Sequence, residues 1–387
     1  MQINKGTENG FLPVVIGKGS YNDLGVIRSL GDRGLRSVYL TDGEHIIPIK
    51  KSKYLIATII TNLDSDLVSS LIQIAKEYEK KLVLFPTSDN AASTIDENNE
   101  DLATFAILPN TQGRMEHFMD KGVQASLAHQ AGFNVPNSAS FDLESEIVPF
   151  ENIHLPCIVK PRLSIKGSKT HITVCRTKDK LKSCINFYKD NSEFSILIQD
   201  FIEQEDQKEI CITGVCLPNN EVIFGGIIEK YRTIGNGSTT YGKVHVEVDN
   251  QIASKVRELM KRIPYSGIFD IECFISPDKE LTFIECNLRN GAYGYAVTRA
   301  GTNLPWLFYA HATGQSTDPS PTHDVVFMEE RSDFLHVTRK EISSRKWICD
   351  VLHTDVFLFS NRKDIGPMIR IPHFFKKYLL TNKKQHK

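Results

Sequence analysis

The segment 281–289 (LTFIECNLR) ends an apolar, strand-like run with three polar side chains of types that can do chemistry. A strand turns successive side chains to opposite faces, so Glu285, Asn287 and Arg289 are expected to point the same way. A carboxylate and an amide oxygen suit a hard cation, and a guanidinium can clamp a phosphate. The row therefore predicts a place for a cation and a phosphate group.

A further carboxylate, Glu272, stands thirteen residues before Glu285 in a second strand-like run, GIFDIECFI. The spacer 276–280 (SPDKE) is typical of a hairpin turn. The hairpin would bring Glu272 beside Glu285, and two such carboxylates can bridge Mg²⁺ ions that carry a nucleotide. An ordinary amphipathic hairpin with charged outer positions would contain the same two residues, so this pair alone leaves both interpretations open.

The composition of the 387-residue chain excludes several classes of protein. With 41% hydrophobic and 24% charged residues it has the balance of a soluble globular protein, and its net charge of −1 does not indicate nucleic-acid binding. No apolar run is long enough for a transmembrane helix, and the polar N-terminus does not match a signal peptide. We therefore expect a cytoplasmic protein.

The eight cysteines form no C-x-x-C pair, and most of them lie in apolar, strand-like runs such as PCIVK. Buried, reduced thiols are the expected state, with a thiol nucleophile or a zinc site as the alternative.

Residues 11–110 alternate apolar strand-like runs with helical patterns, which predicts a Rossmann-like parallel sheet in an α/β lobe. The turn Gly17-Lys-Gly-Ser20 after the first strand lacks the third glycine of a dinucleotide-binding motif. A scaffold lobe that contributes to a substrate pocket is the favoured interpretation. We assign residues 1–112 to this lobe.

The rest of the chain predicts an α+β architecture, because strand-like runs pair across short turns beside few helices. A helix is predicted over MEHFMDKGVQASLAHQAG, with a stop at Gly132. We divide this part into regions 113–187, 188–320 and 321–387. The last region ends in the basic segment FFKKYLLTNKKQHK, which fits either a solvated terminus or a helix in peripheral contact with a membrane surface.

Several further residues are candidates for holding phosphates. Lys160 closes the apolar strand CIVKP and can extend its ammonium to a phosphate, although a surface lysine is the simpler interpretation. The loop 164–168 that follows, with Ser164, Gly167 and Ser168, can fold its backbone N–H groups over phosphates. Lys121 stands near the start of its helix, where a cation is not favoured by the helix dipole, and this mismatch hints at another role.

The segment 196–202 (ILIQDFI) predicts a strand that leads into a connection, where backbone groups can read an adenine edge. Residues 203–209 after it can supply a partner for ribose hydroxyls, although a plain polar turn is the alternative. Further on, Lys230 and Arg232 can hold a substrate carboxylate or be ordinary exposed bases. They precede the loop 235–242 (GNGSTTYG), which can close over a reactive intermediate and exclude water.

Taken together and in this order, these elements resemble the ATP-grasp superfamily. The resemblance covers residues 113–315 and is carried by Lys121, IVKP with Lys160, loop 164–168, ILIQDFI, FDIECF and FIECNLR. The N-terminal part resembles, more loosely, the lobe that precedes this domain in carboxylate–amine ligases of the D-aspartate ligase-like group. The expected fold is thus an α/β lobe followed by an α+β ATP-grasp fold, with residues 113–187 as its small subdomain and 188–320 as the large one that holds Mg-ATP.

The resemblance also implies roles for individual residues. It makes Lys121 and Lys160 phosphate ligands and places Arg289 near the transferred phosphoryl group. Adenine would lie at the segment 199–202, and the ribose would bind Gln207 or Glu209. The implied adenine contacts are Gln199, Asp200, Phe201 and Ile202, and the implied Mg²⁺ ligands are Glu272, Glu285 and Asn287. Mn²⁺ is an alternative to Mg²⁺. The glycine-poor loop and the polar strand end depart from the family pattern.

The function predicted from this resemblance is an ATP-dependent ligase that joins a small carboxylate to an amine through an acylphosphate. A nucleotide-binding module without turnover is the main alternative. An enzyme that activates bicarbonate is a weaker one, because no biotin-carrier motif and no second synthetase half are found. No nucleic-acid partner is expected, and a homodimer is the oligomeric state left open.

Overall fold

The computed structural model describes residues 10–43, 48–144, 148–163, 172–192, 195–202, 207–235, 237–318 and 320–370. The loop 164–168, with Ser164, Gly167 and Ser168, lies outside these residues, and so does the basic segment at the end of the chain.

The N-terminal region is a parallel sheet with helices, as predicted. Its elements are β1 (Phe11–Gly17), α1 (Tyr21–Gly31), β2 (Ser37–Thr41), β3 (Leu55–Ile60), α2 (Leu67–Tyr78), β4 (Lys81–Pro86), α3 (Asp89–Glu97), α4 (Asn99–Leu102) and β5 (Ala106–Ile107). The strand order is β3-β2-β1-β4-β5, and every pairing is parallel. The central strands are apolar almost throughout because both faces of a parallel sheet are covered.

The backbone N–H groups of the turn after β1 are bonded to a carboxylate of the same chain. The Asp23 carboxylate accepts hydrogen bonds from the backbone N–H groups of Gly19 and Ser20, at 2.8 and 2.9 Å. Gly17 has no room for a side chain, because a Cβ there would lie 2.2 Å from that carboxylate. Since an internal carboxylate uses these N–H groups, the turn does not present them to a phosphate.

The next region contains a four-stranded antiparallel sheet. Its elements are α5 (Met115–Met119), α6 (Lys121–Gln130), β6 (Ser138–Asp142), β7 (Cys157–Pro161), β8 (Thr173–Cys175), α7 (Lys178–Asp190) and β9 (Ser195–Asp200). The strand order is β6-β9-β7-β8. The prediction of a single helix from Met115 is wrong, because Asp120 separates two helices, α5 and α6. Its backbone is extended, and its side chain caps α6 by accepting the N–H groups of Gly122 and Val123.

A seven-stranded sheet follows among the described residues. Its elements are β10 (Lys208–Cys216), β11 (Val222–Ile234), β12 (Ser238–His245), α8 (Asn250–Arg262), β13 (Gly267–Ile275), β14 (Leu281–Asn287), α9 (Gly294–Arg299), α10 (Leu304–Thr313), β15 (Val325–Met328), α11 (Glu330–Thr338), α12 (Ser344–Leu352) and β16 (Val356–Phe357). The order is β14-β13-β10-β11-β12-β15-β16, and the pairings are antiparallel except between β15 and β16. The predicted α+β architecture is confirmed.

Residues beyond 320 complete this sheet instead of trailing from it. β15 pairs with β12, and residues of β15 and β16 share one apolar core with the N-terminal sheet, α1, α9 and α10. A buried ion pair ties the same parts together: Arg28 of α1 donates through Nε to Asp364, at 3.0 Å, and both side chains are fully buried. The N-terminal lobe is therefore packed firmly on the large sheet.

All eight cysteines are free thiols, and only Cys349 is exposed. No helix within the described residues is long and apolar enough to cross a membrane.

The buried pair gives a stability prediction. Asp364→Ala is expected to lower the free energy of unfolding by about 3–5 kcal/mol, because Arg28 would keep an uncompensated charge in the core. Denaturant unfolding measures the change. The control is Glu258→Ala, which removes the exposed pair with Arg262 and should cost about 0.5 kcal/mol. Equal, small losses in the two variants would contradict the assigned role of the buried pair.

Candidate active site

A cavity of about 610 Å³ lies between the four-stranded and the seven-stranded sheet. That volume is in the range of pockets that bury small-molecule ligands. Both sheets contribute to its walls, and β7 faces β10, β11, β13 and β14 across it. Among the described residues, the predicted site residues that line it are Lys121, Lys160, Glu209, Lys230, Glu272, Glu285 and Arg289.

The predicted acidic hairpin is confirmed. Glu272 of β13 stands directly opposite Glu285 of β14 in the sheet register. The polar row along β14 is also formed: the Asn287 amide donates to Glu285 at 3.4 Å, and its oxygen accepts a hydrogen bond from Arg289 at 3.1 Å. Asn287 itself lines a small neighbouring pocket shared with Glu285, not the main cavity.

Lys230 of β11 pairs with this hairpin. Its Nζ donates to Glu209 at 2.5 Å and to Glu272 at 3.0 Å. Burial alone would lower the pKa of Lys230, but the two carboxylates outweigh it and raise the pKa above its ordinary value. Lys230 therefore stays charged and holds both carboxylates in place.

Two further lysines reach the cavity, one from α6 and one from β7. Lys160, buried at the end of β7, donates through Nζ to Gln199 of β9 at 3.0 Å. Lys121 begins α6, and its Nζ lies 4.0 Å from a carboxylate oxygen of Glu285. Burial lowers the pKa of Lys160 to about 8, while Glu285 opposes the shift and Lys121 adds to it. An ammonium buried beside a neutral amide is well suited to an incoming anion.

Arg289 is held by one residue of the N-terminal lobe and by two of its own neighbours in the chain. Its Nε donates to Asp89 at 2.9 Å, and its other nitrogens donate to the Asn287 side chain and to the Asn290 carbonyl. Burial would lower the pKa of this guanidinium, but the carboxylates around it, of which Asp89 acts most strongly, keep the pKa above its ordinary value.

Three residues at this site were missed from the sequence. Asp270 lines the cavity two positions before Glu272, and strand alternation was a signal for it. Burial raises the pKa of Asp270 to about 6, and its Oδ1 has no hydrogen-bond partner in the described part of the chain. Asp89, which lines the small pocket, and Arg339, on the cavity wall just after α11, carry no local sequence signal.

Arg232 does not line the cavity. A β-bulge between Lys230 and Arg232 changes the register of β11, and a bulge re-aims the side chains that follow it. The Arg232 guanidinium instead pairs with Asp333 of α11 at 2.7 Å and with Asp350 of α12 at 2.6 Å. This residue therefore anchors the β11–β12 hairpin to the C-terminal helices.

The segment predicted to bind adenine lies beside the cavity and not on its described wall. Gln199 does not line the cavity but accepts a hydrogen bond from Lys160, which does. The N–H groups of Asp200 and Phe201 are already bonded to the carbonyls of Asn137 and Pro156, at 2.9 and 3.0 Å. No residue from Gln199 to Ile202 lines the cavity, and neither does Gln207, whereas Glu209 does. These assignments stay predictions.

The hairpin offers ligands that fit Mg²⁺. Glu272, Glu285 and Asn287 supply two carboxylates and an amide oxygen in one row. Within the described ranges, no three acidic, histidine or cysteine side chains form a complete metal cage. Mg²⁺ is usually bound by one or two carboxylates and completes its coordination with phosphates and water. The residues therefore fit a Mg²⁺ ion that arrives with a polyphosphate.

In a comparison with protein-family models, residues 126–301 match the ATP-grasp domain. This region contains the cavity-lining strands of both sheets. A comparison with curated protein sequences gives no match.

Solved structures with the same fold span most of this chain. N5-carboxyaminoimidazole synthetase from Staphylococcus aureus has a TM-score of 0.66 at 18% identity, covering 88% of each chain. Biotin carboxylase from Campylobacter jejuni has a TM-score of 0.63 at 14% identity, covering 81% of this chain and 74% of its own. An L-amino acid ligase from Bacillus licheniformis has a TM-score of 0.62 at 15% identity, with coverages of 83% and 80%. At these identities the likeness shows the fold.

The position of Lys160 predicts a pH dependence. With a pKa of about 8, its ammonium loses charge as the pH rises, so the Kd for a polyphosphate should increase about tenfold between pH 7 and pH 9. Calorimetric titration with ATP as the polyphosphate probe measures this change. Lys160→Arg keeps the charge throughout this range and should remove the dependence. An unchanged Kd in the natural protein, or the same rise in the arginine variant, would contradict the assignment.

Proposed function

We propose that this chain, whose residues 126–301 match the ATP-grasp domain, is an ATP-dependent ligase that joins a carboxylate to an amine. The observation that carries the proposal is the arrangement of charges in the cavity. The paired carboxylates Glu272 and Glu285 lie on one wall, Lys160 reaches it from the other, and Arg289 lies at the end of the acidic row. Phosphoryl transfer depends on such fixed charges far more than on covalent chemistry.

Each part of the proposed reaction has residues suited to it. Lys121 and Lys160 bind the phosphates of ATP, and Arg289 stabilises the transferred phosphoryl group. Glu272, Glu285 and Asn287 hold Mg²⁺, which neutralises phosphate charge when it is bound. In the reaction, a carboxylate oxygen of the substrate attacks the γ-phosphorus and ADP leaves. An amine then attacks the carbonyl carbon, phosphate leaves, and the amine gives up a proton as the amide forms.

The proposed reaction needs no covalent protein intermediate. No histidine or cysteine is found among the described residues that line it. An acylphosphate needs protection from water, and the β11–β12 hairpin is placed to give it, since Gly237, Ser238 and Thr239 form part of the wall.

Arg339 is the group we assign to substrate recognition. It is exposed on the cavity wall, and its guanidinium has no hydrogen bond or ion pair with any other described residue. The other cavity cations, in contrast, have carboxylate or amide partners. A free guanidinium can take a carboxylate through two parallel hydrogen bonds, so Arg339 suits a carboxylate of the substrate.

The direct test is Mg²⁺-dependent release of ADP with pools of carboxylic acids and amines added in a grid. Release that requires both an acid and an amine supports the ligase. In Glu285→Gln it should fall by roughly 10³-fold, because the charge that holds the metal is lost. Glu280→Gln, on the turn of the same hairpin, is the control and should retain activity.

The other outcomes separate the alternatives. Tight ATP binding without release anywhere in the grid would favour a nucleotide-binding module, which the glycine-poor loop 164–168 also suggests. Release that needs bicarbonate in place of an organic acid would favour carboxyphosphate chemistry. Failure to bind ATP at all would reject the proposed function.

Arg339 gives a further prediction. Once an acid substrate is known, Arg339→Ala should raise its KM about tenfold or more, since a charge-assisted hydrogen bond of roughly 1.5–3 kcal/mol is lost. The KM for ATP should not change. Arg345→Ala, an exposed arginine on α12 outside the cavity, is the matched control. If the acid KM is the same in all three proteins, Arg339 does not contact the substrate.

A further inference from the structure

We propose that Asp89, in the N-terminal lobe, is a positioning residue that fixes the Arg289 guanidinium for phosphoryl transfer. This inference rests on the proposed function. It makes the N-terminal lobe a working part of the phosphoryl-transfer site as well as a scaffold. The two residues are 200 positions apart in the chain and meet only in the folded protein.

The contacts of Arg289 leave its side chain little freedom. Nε donates to Asp89 at 2.9 Å, Nη2 donates to Asn287 at 3.1 Å, and Nη1 donates to the Asn290 carbonyl at 3.3 Å. The Arg289 and Asp89 side chains are only 14% and 11% exposed, so little water competes for the charged hydrogen bond. Of these three hydrogen-bond partners, only Asp89 is charged.

Asp89 is itself held in place by its own element. It is the first residue of α3, and Ser88 before it caps the helix by accepting the N–H group of Ala91. A carboxylate in the first turn of a helix is favoured by the helix dipole. Since β4 ends only three residues earlier, at Pro86, the parallel sheet fixes the position of this helix end.

A second contact from the same lobe fixes the backbone next to Arg289. Asn290 donates through its amide to Asn22 of α1 at 2.6 Å, and Asn22 donates back to the Asn290 carbonyl at 2.9 Å. Asn22 also donates to the Thr87 carbonyl, at 3.2 Å. The lobe therefore holds the main chain at residue 290 and, separately, the side chain at residue 289.

The surroundings also indicate what happens if Asp89 is removed. A carboxylate oxygen of Asp270 lies 3.9 Å from a guanidinium nitrogen of Arg289, and the buried Oδ1 of Asp270 has no hydrogen-bond partner among the described residues. Without Asp89, the guanidinium can move toward this second carboxylate. A shift of about 1 Å in a positioned group can reduce a reaction rate about 100-fold. The pull of Asp89 thus keeps Arg289 from pairing fully with Asp270.

The experiment measures binding of Mg·ADP with and without aluminium fluoride, which mimics a transferring phosphoryl group, by isothermal titration calorimetry. In the natural protein aluminium fluoride should tighten ADP binding. Asp89→Ala should lose at least about tenfold of that gain while its affinity for Mg·ADP alone is unchanged. Asp89→Asn keeps the acceptor oxygen and should fall between the two, and it serves if the alanine variant does not fold.

A double-mutant cycle tests whether Asp89 acts through Arg289. Asp89→Ala should have no further effect on the aluminium fluoride gain in an Arg289→Ala background, whereas independent roles would give additive losses. The control is Asp32→Ala, which removes another contact between the lobes, to Tyr295 and Arg299, and should bind like the natural protein.

The results that overturn the inference differ from those that overturn the proposed function. A full aluminium fluoride gain in Asp89→Ala, or losses that add to those of Arg289→Ala, would show that Asp89 does not position Arg289. Binding of Mg·ADP without any gain in the natural protein would also reject it, because Arg289 would then have no phosphoryl group to hold. Absence of Mg·ADP binding would reject the proposed function together with the inference.

Discussion

Charge withdrawn from water must be compensated, and this requirement organises the cavity between the two sheets. Lys160 finds an amide on a neighbouring strand, Lys230 finds carboxylates on two other strands, and Arg289 finds Asp89 in a different lobe. Each cation is therefore neutralised or solvated by a different element. The contacts of Lys160 and Lys230 lie within one sheet each, whereas Arg289 with Asp89 and Lys121 with Glu285 join separate parts of the chain. The site is therefore complete only when these parts are docked together.

The rest of the fold supplies the rigidity that such an arrangement needs. A shared apolar core joins the N-terminal sheet to the seven-stranded sheet, and the buried pair of Arg28 with Asp364 fastens the C-terminal segment to the same place. Arg232, which pairs with Asp333 and Asp350, anchors the hairpin that forms part of the cavity wall. Residues beyond 320 thus stabilise the elements that carry the site, and one of them, Arg339, lines the cavity.

The alternation of side chains along a strand explains both a success and a failure of the sequence analysis. It correctly placed Glu285, Asn287 and Arg289 in one row: the pairing of β14 is regular from Glu285 to Asn287, and hydrogen bonds link the three side chains. The same rule would put Lys230 and Arg232 side by side, but a bulge between them turns Arg232 toward α11. A bulge depends on how the paired strand is fitted to the rest of the sheet, and residue spacing does not reveal it.

The sequence by itself determined the parallel N-terminal sheet, the antiparallel sheets that follow and the acidic hairpin, because apolar periodicity and short turns act over a few residues. It also placed Lys121 and Lys160 at element ends from which they reach the cavity. The tertiary structure decided that Asp89 pairs with Arg289 and that Asp333 pairs with Arg232. It also placed Arg339 on the cavity wall. The two contacts join residues 200 and 101 positions apart, and their distance in space is set by the packing of whole layers, which no local pattern encodes.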